Sequence, residues 1–194
     1  MFSFRVTTTF VNNITIENNH ISDSLFGINF EQVNRSKIVD NFITSKDLEL
    51  GIRGDGIRLW NSHDNQLFAN RLYKSRDFVL WYSSGNNIEN NYGSYNRYSL
   101  HFMYAGRNMV RNNFFEYNSV GIFFMYSSGT IAIGNTVKNS LGAFGVGIGM
   151  KDSSDFTLLE NNLIYNPRGL YLDQSPYHPR TVNVFERNNI LYNS

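Results

Sequence analysis

The sequence contains no cysteine, which excludes disulfide bridges, thiolate metal ligands and a cysteine nucleophile. Proline is also scarce, with three residues, and only 17% of the residues are charged. The net charge of +1 provides no electrostatic attraction for nucleic acid or for an anionic membrane, so neither is expected as a partner. The longest nearly apolar run, residues 141–150, is too short to span a bilayer.

Asparagine, by contrast, is very frequent, with 28 residues in a chain of 194. Because asparagine is unfavourable in helices and in average strands, this frequency needs a structural reason. Asparagines follow short strand-like segments at intervals of 21 or 22 residues, lengthened to between 27 and 29 in three cases. These asparagines are Asn19, Asn41, Asn70, Asn91, Asn113, Asn135, Asn162 and Asn189. The intervals indicate a structural repeat, with asparagines at turns where they tolerate left-handed backbone angles and can stack as amide ladders.

A second repeated segment supports the same register. Its seven copies, five residues each, begin at Gly27, Gly56, Asp77, Ser99, Gly121, Gly147 and Gly169. The second and fourth places of every copy are apolar, and this period of two is typical of a strand with one buried face. The leucine-rich repeat, which has a similar period, is excluded because its signature is missing. The sequence therefore predicts an all-β fold, a right-handed parallel β-helix with rungs of about 22 residues.

The repeat runs from one end of the chain to the other. Apolar residues already alternate at Phe4 and Val6, no signal peptide precedes them, and neither end shows a polar cap. We therefore expect residues 1–194 to form a single β-helix domain that is a segment of a longer solenoid. Longer loops, at 46–53, 141–146 and 174–179, adjoin the repeated strand, and such loops often border a binding face.

The outward positions of the repeated strand are unusually apolar. Its fifth place reads Glu31, Trp60, Trp81, Met103, Met125, Lys151 and Asp173. A contiguous apolar patch on a surface usually marks an interaction site, although an inserted loop could also cover it as additional core. The residues predicted to form a partner-binding face are Arg58, Trp60, Trp81, Tyr82, Tyr104, Phe123 and Tyr126.

Three residues of this face form a candidate metal site. His101 and Met103 lie two apart on one strand, and Met125 is expected beside Met103 on the next rung. Thioether and imidazole ligands suit copper(I) better than calcium, magnesium or zinc. The alternative is that these side chains only pack against the surrounding aromatic residues.

Charged residues in the last copies of the repeated segment allow an enzymatic interpretation. Lys151, Asp152 and Asp173, together with Arg58, could act on a uronate-containing polysaccharide as a lyase or an epimerase. The residues do not form a tight carboxylate constellation in the sequence. A structural or adhesive β-helix without a small ligand is a third possibility.

Several segments resemble the NosD family. They are Arg-Gly-Asp-Gly-Ile-Arg-Leu-Trp at 53–60, the segments 75–83, 97–104 and 119–127, and their continuations at 147–152 and 169–176. The His-Phe-Met-Tyr and Phe-Met-Tyr-Ser runs are the most distinctive. The resemblance implies a periplasmic, non-enzymatic accessory protein that carries copper(I) transiently during maturation of nitrous oxide reductase. It also implies an ABC transporter and a copper chaperone as partners, with nitrous oxide reductase as a further candidate.

Overall fold

The computed structural model describes residues 10–194, which form a parallel β-helix of 25 short strands. The predicted alternation at Phe4 and Val6 lies outside the described residues. Over residues 10–194 no helix is long and apolar enough to cross a membrane. The prediction of an all-β parallel β-helix with rungs of about 22 residues is confirmed.

Three long parallel sheets run along the solenoid, and each complete rung contributes one strand to each of them. Sheet A contains β4 (Ile28–Glu31), β8 (Ile57–Trp60), β11 (Asp77–Trp81), β14 (Tyr98–Met103), β17 (Val120–Met125), β20 (Val146–Lys151) and β23 (Arg168–Asp173). Its strands contain the repeated five-residue segment.

Sheet B follows sheet A along the chain. It contains β2 (Thr15–Glu17), β6 (Lys37–Val39), β9 (Gln66–Phe68), β12 (Asn87–Glu89), β15 (Met109–Arg111), β18 (Ile131–Ile133), β21 (Thr157–Leu159) and β24 (Val184–Glu186).

Sheet C closes each rung. It contains β3 (His20–Ser24), β7 (Phe42–Ser45), β10 (Arg71–Tyr73), β13 (Tyr92–Ser94), β16 (Phe114–Glu116), β19 (Thr136–Lys138), β22 (Asn162–Ile164) and β25 (Asn189–Leu191). A separate pair joins β1 (Val11–Asn12) to β5 (Val33–Asn34).

The core is a set of apolar columns that point inward from the three sheets. In sheet A the second and fourth places of the middle rungs are fully buried, as at Leu100, Phe102, Ile122 and Phe124. The rings of Phe102 and Phe124 stack at 4.8 Å between centroids. Because each rung buries its apolar face only against its neighbours, the stacking of rungs stabilises the fold.

An asparagine ladder runs along the turn between sheets B and C. Asn91, for example, donates through its backbone N–H and its Nδ2 to Asn113 Oδ1, at 2.9 and 3.0 Å. Asn91 Nδ2 also donates to the carbonyl of Leu67 at 2.9 Å, so the buried amide has its hydrogen-bond partners. The ladder prediction was wrong by one residue at two positions, because Asn161 and Asn188 occupy the ladder. Asn162 and Asn189 instead begin β22 and β25.

The expected reason for asparagine at this turn is also corrected. The stacked asparagines do not have the left-handed backbone angles. The residue just before each one has them, as at Asp40, Ala69 and Glu160, with φ of 51°, 54° and 55°. The turn therefore needs asparagine for its side-chain amide, which bonds to the next rung.

Sheet A contains one irregularity, between β11 and β14. Tyr98 pairs with Asp77, whereas His101 pairs with Val79, so β14 has one extra residue in this interval. The sequence alignment had placed Ser99 opposite Asp77, and this detail was wrong because of the bulge. A bulge often re-aims side chains beside a functional site, and this one adjoins His101.

Candidate metal-binding face of sheet A

The fifth places of the sheet A strands form one continuous row on the outer surface. From β4 to β23 each residue of this fifth-place row is the Cα partner of the next. Its members are Glu31, Trp60, Trp81, Met103, Met125, Lys151 and Asp173. Trp60, Trp81, Met103 and Met125 are all half-buried. The apolar middle of the row is thus partly open to solvent.

A stack of tyrosines borders this row. Tyr82 and Tyr104 stack at 5.2 Å, and Tyr104 and Tyr126 at 4.8 Å, with interplanar angles of 9° and 12°. Their exposed fractions are 44%, 46% and 39%. Trp60 joins the stack edge-on against Tyr82, at 5.3 Å. Because neighbouring rings cover each other's faces, the stack presents ring edges and hydroxyl groups to solvent.

The third places form a second outward row that is largely buried. Val79, His101 and Phe123 have exposed fractions of 2%, 8% and 8%. The ring of Tyr98 stacks on His101 at 4.4 Å and meets Phe123 edge-on at 6.1 Å. The fifth-place row is therefore partly open, and the third-place row is covered by aromatic side chains of sheet A itself. A tyrosine from the bulged strand itself contributes to that cover.

Phe123 lies over a glycine of the next rung. A Cβ at Gly149 would lie 2.4 Å from Phe123 Cε2 and 2.6 Å from Cδ2. Any side chain at Gly149 would therefore displace the ring of Phe123. The glycine helps to keep the rings beside His101 in place.

His101 is held by a buried carboxylate. Its Nδ1 lies 3.4 Å from Asp77 Oδ2. Asp77 also accepts hydrogen bonds from Arg97, through Nε at 2.9 Å and through Nη2. Burial acts to raise the pKa of Asp77, but the hydrogen bonds from His101 and Arg97 outweigh burial and lower that pKa below its ordinary value. Asp77 is therefore ionised at neutral pH and favours the tautomer of His101 that carries its proton on Nδ1.

That tautomer leaves the other imidazole nitrogen with a free lone pair. His101 Nε2 is buried and has no hydrogen-bond partner. A carboxylate that fixes Nδ1 while Nε2 stays available is the arrangement commonly found at metal-ligating histidines. Among residues 10–194 no group of three or more His, Cys, Asp or Glu side chains could hold a metal ion. A metal site at His101 would thus depend on the neighbouring thioethers, and such a ligand set fits copper(I).

The alternative saccharide residues are only partly brought together. Lys151 Nζ lies 3.5 Å from Asp173 Oδ2, and the charge of Asp173 raises the pKa of Lys151. Asp152 follows Lys151 in a turn, with φ of 46°. Arg58 lies five strands away from Asp173 in sheet A, or about 24 Å at the usual strand spacing. Arg58 therefore cannot act on the same sugar unit as Asp173.

The residues that hold His101 were not predicted from the sequence. Asp77, Arg97 and Tyr98 were not candidates, although the sequence carries a signal for them. Arg97 follows Asp77 by 20 residues, and Arg76 follows Asp55 by 21, so opposite charges recur one rung apart. Sheet C also carries a shallow groove of about 770 Å³, which was not predicted from the sequence. Its lining includes Phe42, Arg71, Tyr73, Tyr92 and Tyr95.

The fold is that of a parallel β-helix, with His101 and Met103 on one strand of sheet A and Met125 beside Met103 on the next. Residues 47–194 match the family model described as NosD, a periplasmic copper-binding protein. Because this match covers most of the chain, the protein belongs to the NosD family. No curated protein matches the sequence.

Among solved structures, the chain is similar to a crystal structure of a mutant of the periplasmic alginate epimerase AlgG. The TM-score is 0.74 at 16% sequence identity, and the alignment covers 93% of this chain. The chain spans 45% of the length of that epimerase. At this identity the similarity shows the shared parallel β-helix fold alone.

Proposed function

We propose that this protein binds copper(I) transiently at His101, Met103 and Met125 and passes it on in the periplasm. The receiving process would be the maturation of nitrous oxide reductase, with an ABC transporter and a copper chaperone as partners. The observation that carries the proposal is the buried Nε2 of His101, which has no hydrogen-bond partner while Asp77 holds Nδ1. Membership of a family described as periplasmic and copper-binding supports the same ion.

The two methionines supply the remaining ligands. Met103 follows His101 by two places on the same outward face, and Met125 is the Cα partner of Met103 on the next strand. Each thioether arm has three rotatable bonds, so both sulfur atoms can approach one ion near the imidazole. A site with one imidazole and two thioethers discriminates in favour of a soft, monovalent ion.

The position of the site suits transfer better than storage. Both methionines are half-buried on an outer face, so a partner's ligands can reach an ion held there. Thioethers are uncharged donors, and they release copper(I) more readily than thiolates do. The aromatic surface around the site would dock the partner, and it includes Arg58, Trp60, Trp81, Tyr82, Tyr104 and Tyr126. Phe123, which was also predicted for this face, is buried and is therefore not part of it. Tryptophan, tyrosine and arginine are the residues that most often dominate protein interfaces.

The test is an anaerobic titration of copper(I) against a competing chelator. We expect the double variant Met103→Leu, Met125→Leu, and the triple variant that adds His101→Ala, to lose measurable binding. Leucine keeps the apolar bulk while it removes the sulfur ligand. Met109→Leu is the matched control, because Met109 is also half-buried but lies on sheet B. Unchanged affinity in the double variant would refute the site.

The polysaccharide interpretation makes a separate prediction. A lyase or epimerase would act on uronate polymers, and Asp173→Asn would abolish that activity. The copper proposal predicts no such turnover in the wild-type protein. Turnover that is lost in Asp173→Asn would replace the proposed function with an enzymatic one.

A further inference from the structure

We infer that the indole of Trp81 is a further part of the copper site, where its π face contacts the bound copper(I) ion. This inference rests on the proposed function and extends the site by one residue. Trp81 is the Cα partner of Met103 and points to the same outer face. Adjacent strands lie about 4.8 Å apart, so the indole is the next side chain in the row beside the first thioether.

The two ends of the methionine pair differ in charge. On one side Met125 pairs with Lys151, and on the other Met103 pairs with Trp81. The ammonium group of Lys151 would repel a cation, but it is paired with Asp173 at 3.5 Å. Lys151 keeps its ammonium group and offers a cation no attraction, whereas the indole of Trp81 is neutral and electron-rich. The indole attracts a weakly hydrated cation through its π face, so it is the favourable neighbour for a monovalent ion.

The neighbouring rung already contains an interaction of this kind. The guanidinium carbon of Arg58 lies 5.4 Å from the ring centroid of Trp60. Over residues 10–194 no Lys or Arg side chain lies over the ring of Trp81. The two indoles lie 5.8 Å apart at 33°, so they share their surroundings but differ in this respect. Trp60 has a protein cation as its partner, and Trp81 remains available for a bound one.

The chain contains two tryptophans, so each can be observed alone. Trp60→Phe leaves Trp81 as the single indole, and Trp81→Phe leaves Trp60. Each protein is titrated anaerobically with copper(I), and with silver(I) as a redox-inert soft ion, while the indole emission is recorded. We expect the Trp81-only protein to lose most of its emission at one equivalent and the Trp60-only protein to keep most of it.

An affinity measurement separates contact from quenching at a distance. Trp81→Leu removes the π face, and we expect it to weaken copper(I) binding about tenfold. Tyr73→Leu, at a half-buried aromatic residue of sheet C, is the control and leaves the affinity unchanged. Trp81→Phe, which keeps a smaller aromatic face, should fall between wild type and Trp81→Leu and guards against a folding defect in the leucine variant.

The possible results distinguish the two proposals. Equal quenching of the two indoles, or unchanged affinity in Trp81→Leu and Trp81→Phe, would overturn the role of Trp81 while the thioether site stands. Absence of copper(I) binding by the wild-type protein would overturn the proposed function and this inference together.

Discussion

Two buried carboxylate–guanidinium pairs lie near the start of neighbouring sheet A strands, and they differ in one contact. Asp55 accepts two hydrogen bonds from Arg76, at 2.8 and 3.1 Å. Asp77 likewise accepts two from Arg97, through Nε and Nη2. Both aspartate side chains are 3% exposed. Only Asp77 also contacts a histidine, His101. An arginine is therefore enough to compensate the charge of a buried aspartate at this position, as at Asp55. The further contact of Asp77 orients His101.

The same difference determines how the two carboxyl groups titrate. Burial raises the pKa of Asp55, and the hydrogen bond from Arg76 does not reverse the shift. For Asp77 burial acts in the same direction, but His101 and Arg97 together lower its pKa. The two ion pairs thus have opposite pKa shifts, because His101 adds a hydrogen bond that lowers the pKa of Asp77, while the charge of Asp77 adds to burial in raising the pKa of Asp55.

The largest expected effect is on stability. Asp77→Ala leaves both Arg97 and His101 without their acceptor, and we expect the free energy of unfolding to fall by about 3 kcal/mol. Asp55→Ala should cost clearly less, because burial already disfavours its ionised form and only Arg76 loses a partner. Urea unfolding of both variants measures the difference. Equal losses would show that the contact with His101 contributes nothing to stability.

The next effect is on copper(I) affinity. Asp77→Asn removes the charge that fixes the tautomer of His101, and we expect the affinity to fall about tenfold. Asp55→Asn is the matched control, since it changes the same kind of pair one rung away without touching His101. Competition with a chelator gives both values. A similar decrease in both variants would indicate a general structural effect.

The smallest effect is on the pH dependence of stability in the metal-free protein. Because the pKa of Asp77 is lower in the folded protein than in the unfolded chain, its ionised carboxylate stabilises the fold. This stabilisation is complete above about pH 4, the pKa in the unfolded chain, and is lost as the pH falls through the pKa in the folded protein. Because the pKa of Asp55 is higher in the folded protein than in the unfolded chain, its protonated carboxyl stabilises the fold. This stabilisation is complete below about pH 4 and is lost as the pH rises through the pKa in the folded protein.

Unfolding measured between about pH 3 and pH 6 should therefore separate the two carboxyl groups. Relative to wild type, Asp77→Asn should be least destabilising at the acid end of this range. Asp55→Asn should be least destabilising at its neutral end. Parallel profiles for the two variants would contradict the opposite pKa shifts.

Much of the fold could be predicted from the sequence, because a repeat fixes both the strands and their register. The apolar second and fourth places and the row from Trp60 to Met125 follow from period two and from stacking. The errors arose where the sequence is locally ambiguous. Adjacent asparagines at 161 and 162 gave two possible ladder positions, and the bulge before His101 leaves no mark in the alternation.

The surroundings of His101 were harder to predict, because they depend on side chains from different rungs. Asp77 reaches His101 from the preceding rung, and Tyr98, which lies in the bulged part of β14, stacks on it. Sequence periodicity gives the direction of a side chain, but it does not give which neighbour fills the adjacent space. The burial of the third-place row could therefore not be predicted.

The central claim is that one imidazole and two thioethers bind copper(I) on this face, and X-ray absorption spectroscopy of the copper(I)-loaded protein tests it most directly. We predict a nearest shell with both sulfur and imidazole scattering, and a smaller sulfur component in the single variant Met103→Leu, which keeps His101 and Met125. Because the chain contains no cysteine, methionine is the only source of sulfur. A shell of nitrogen and oxygen alone in the wild-type protein would contradict the account.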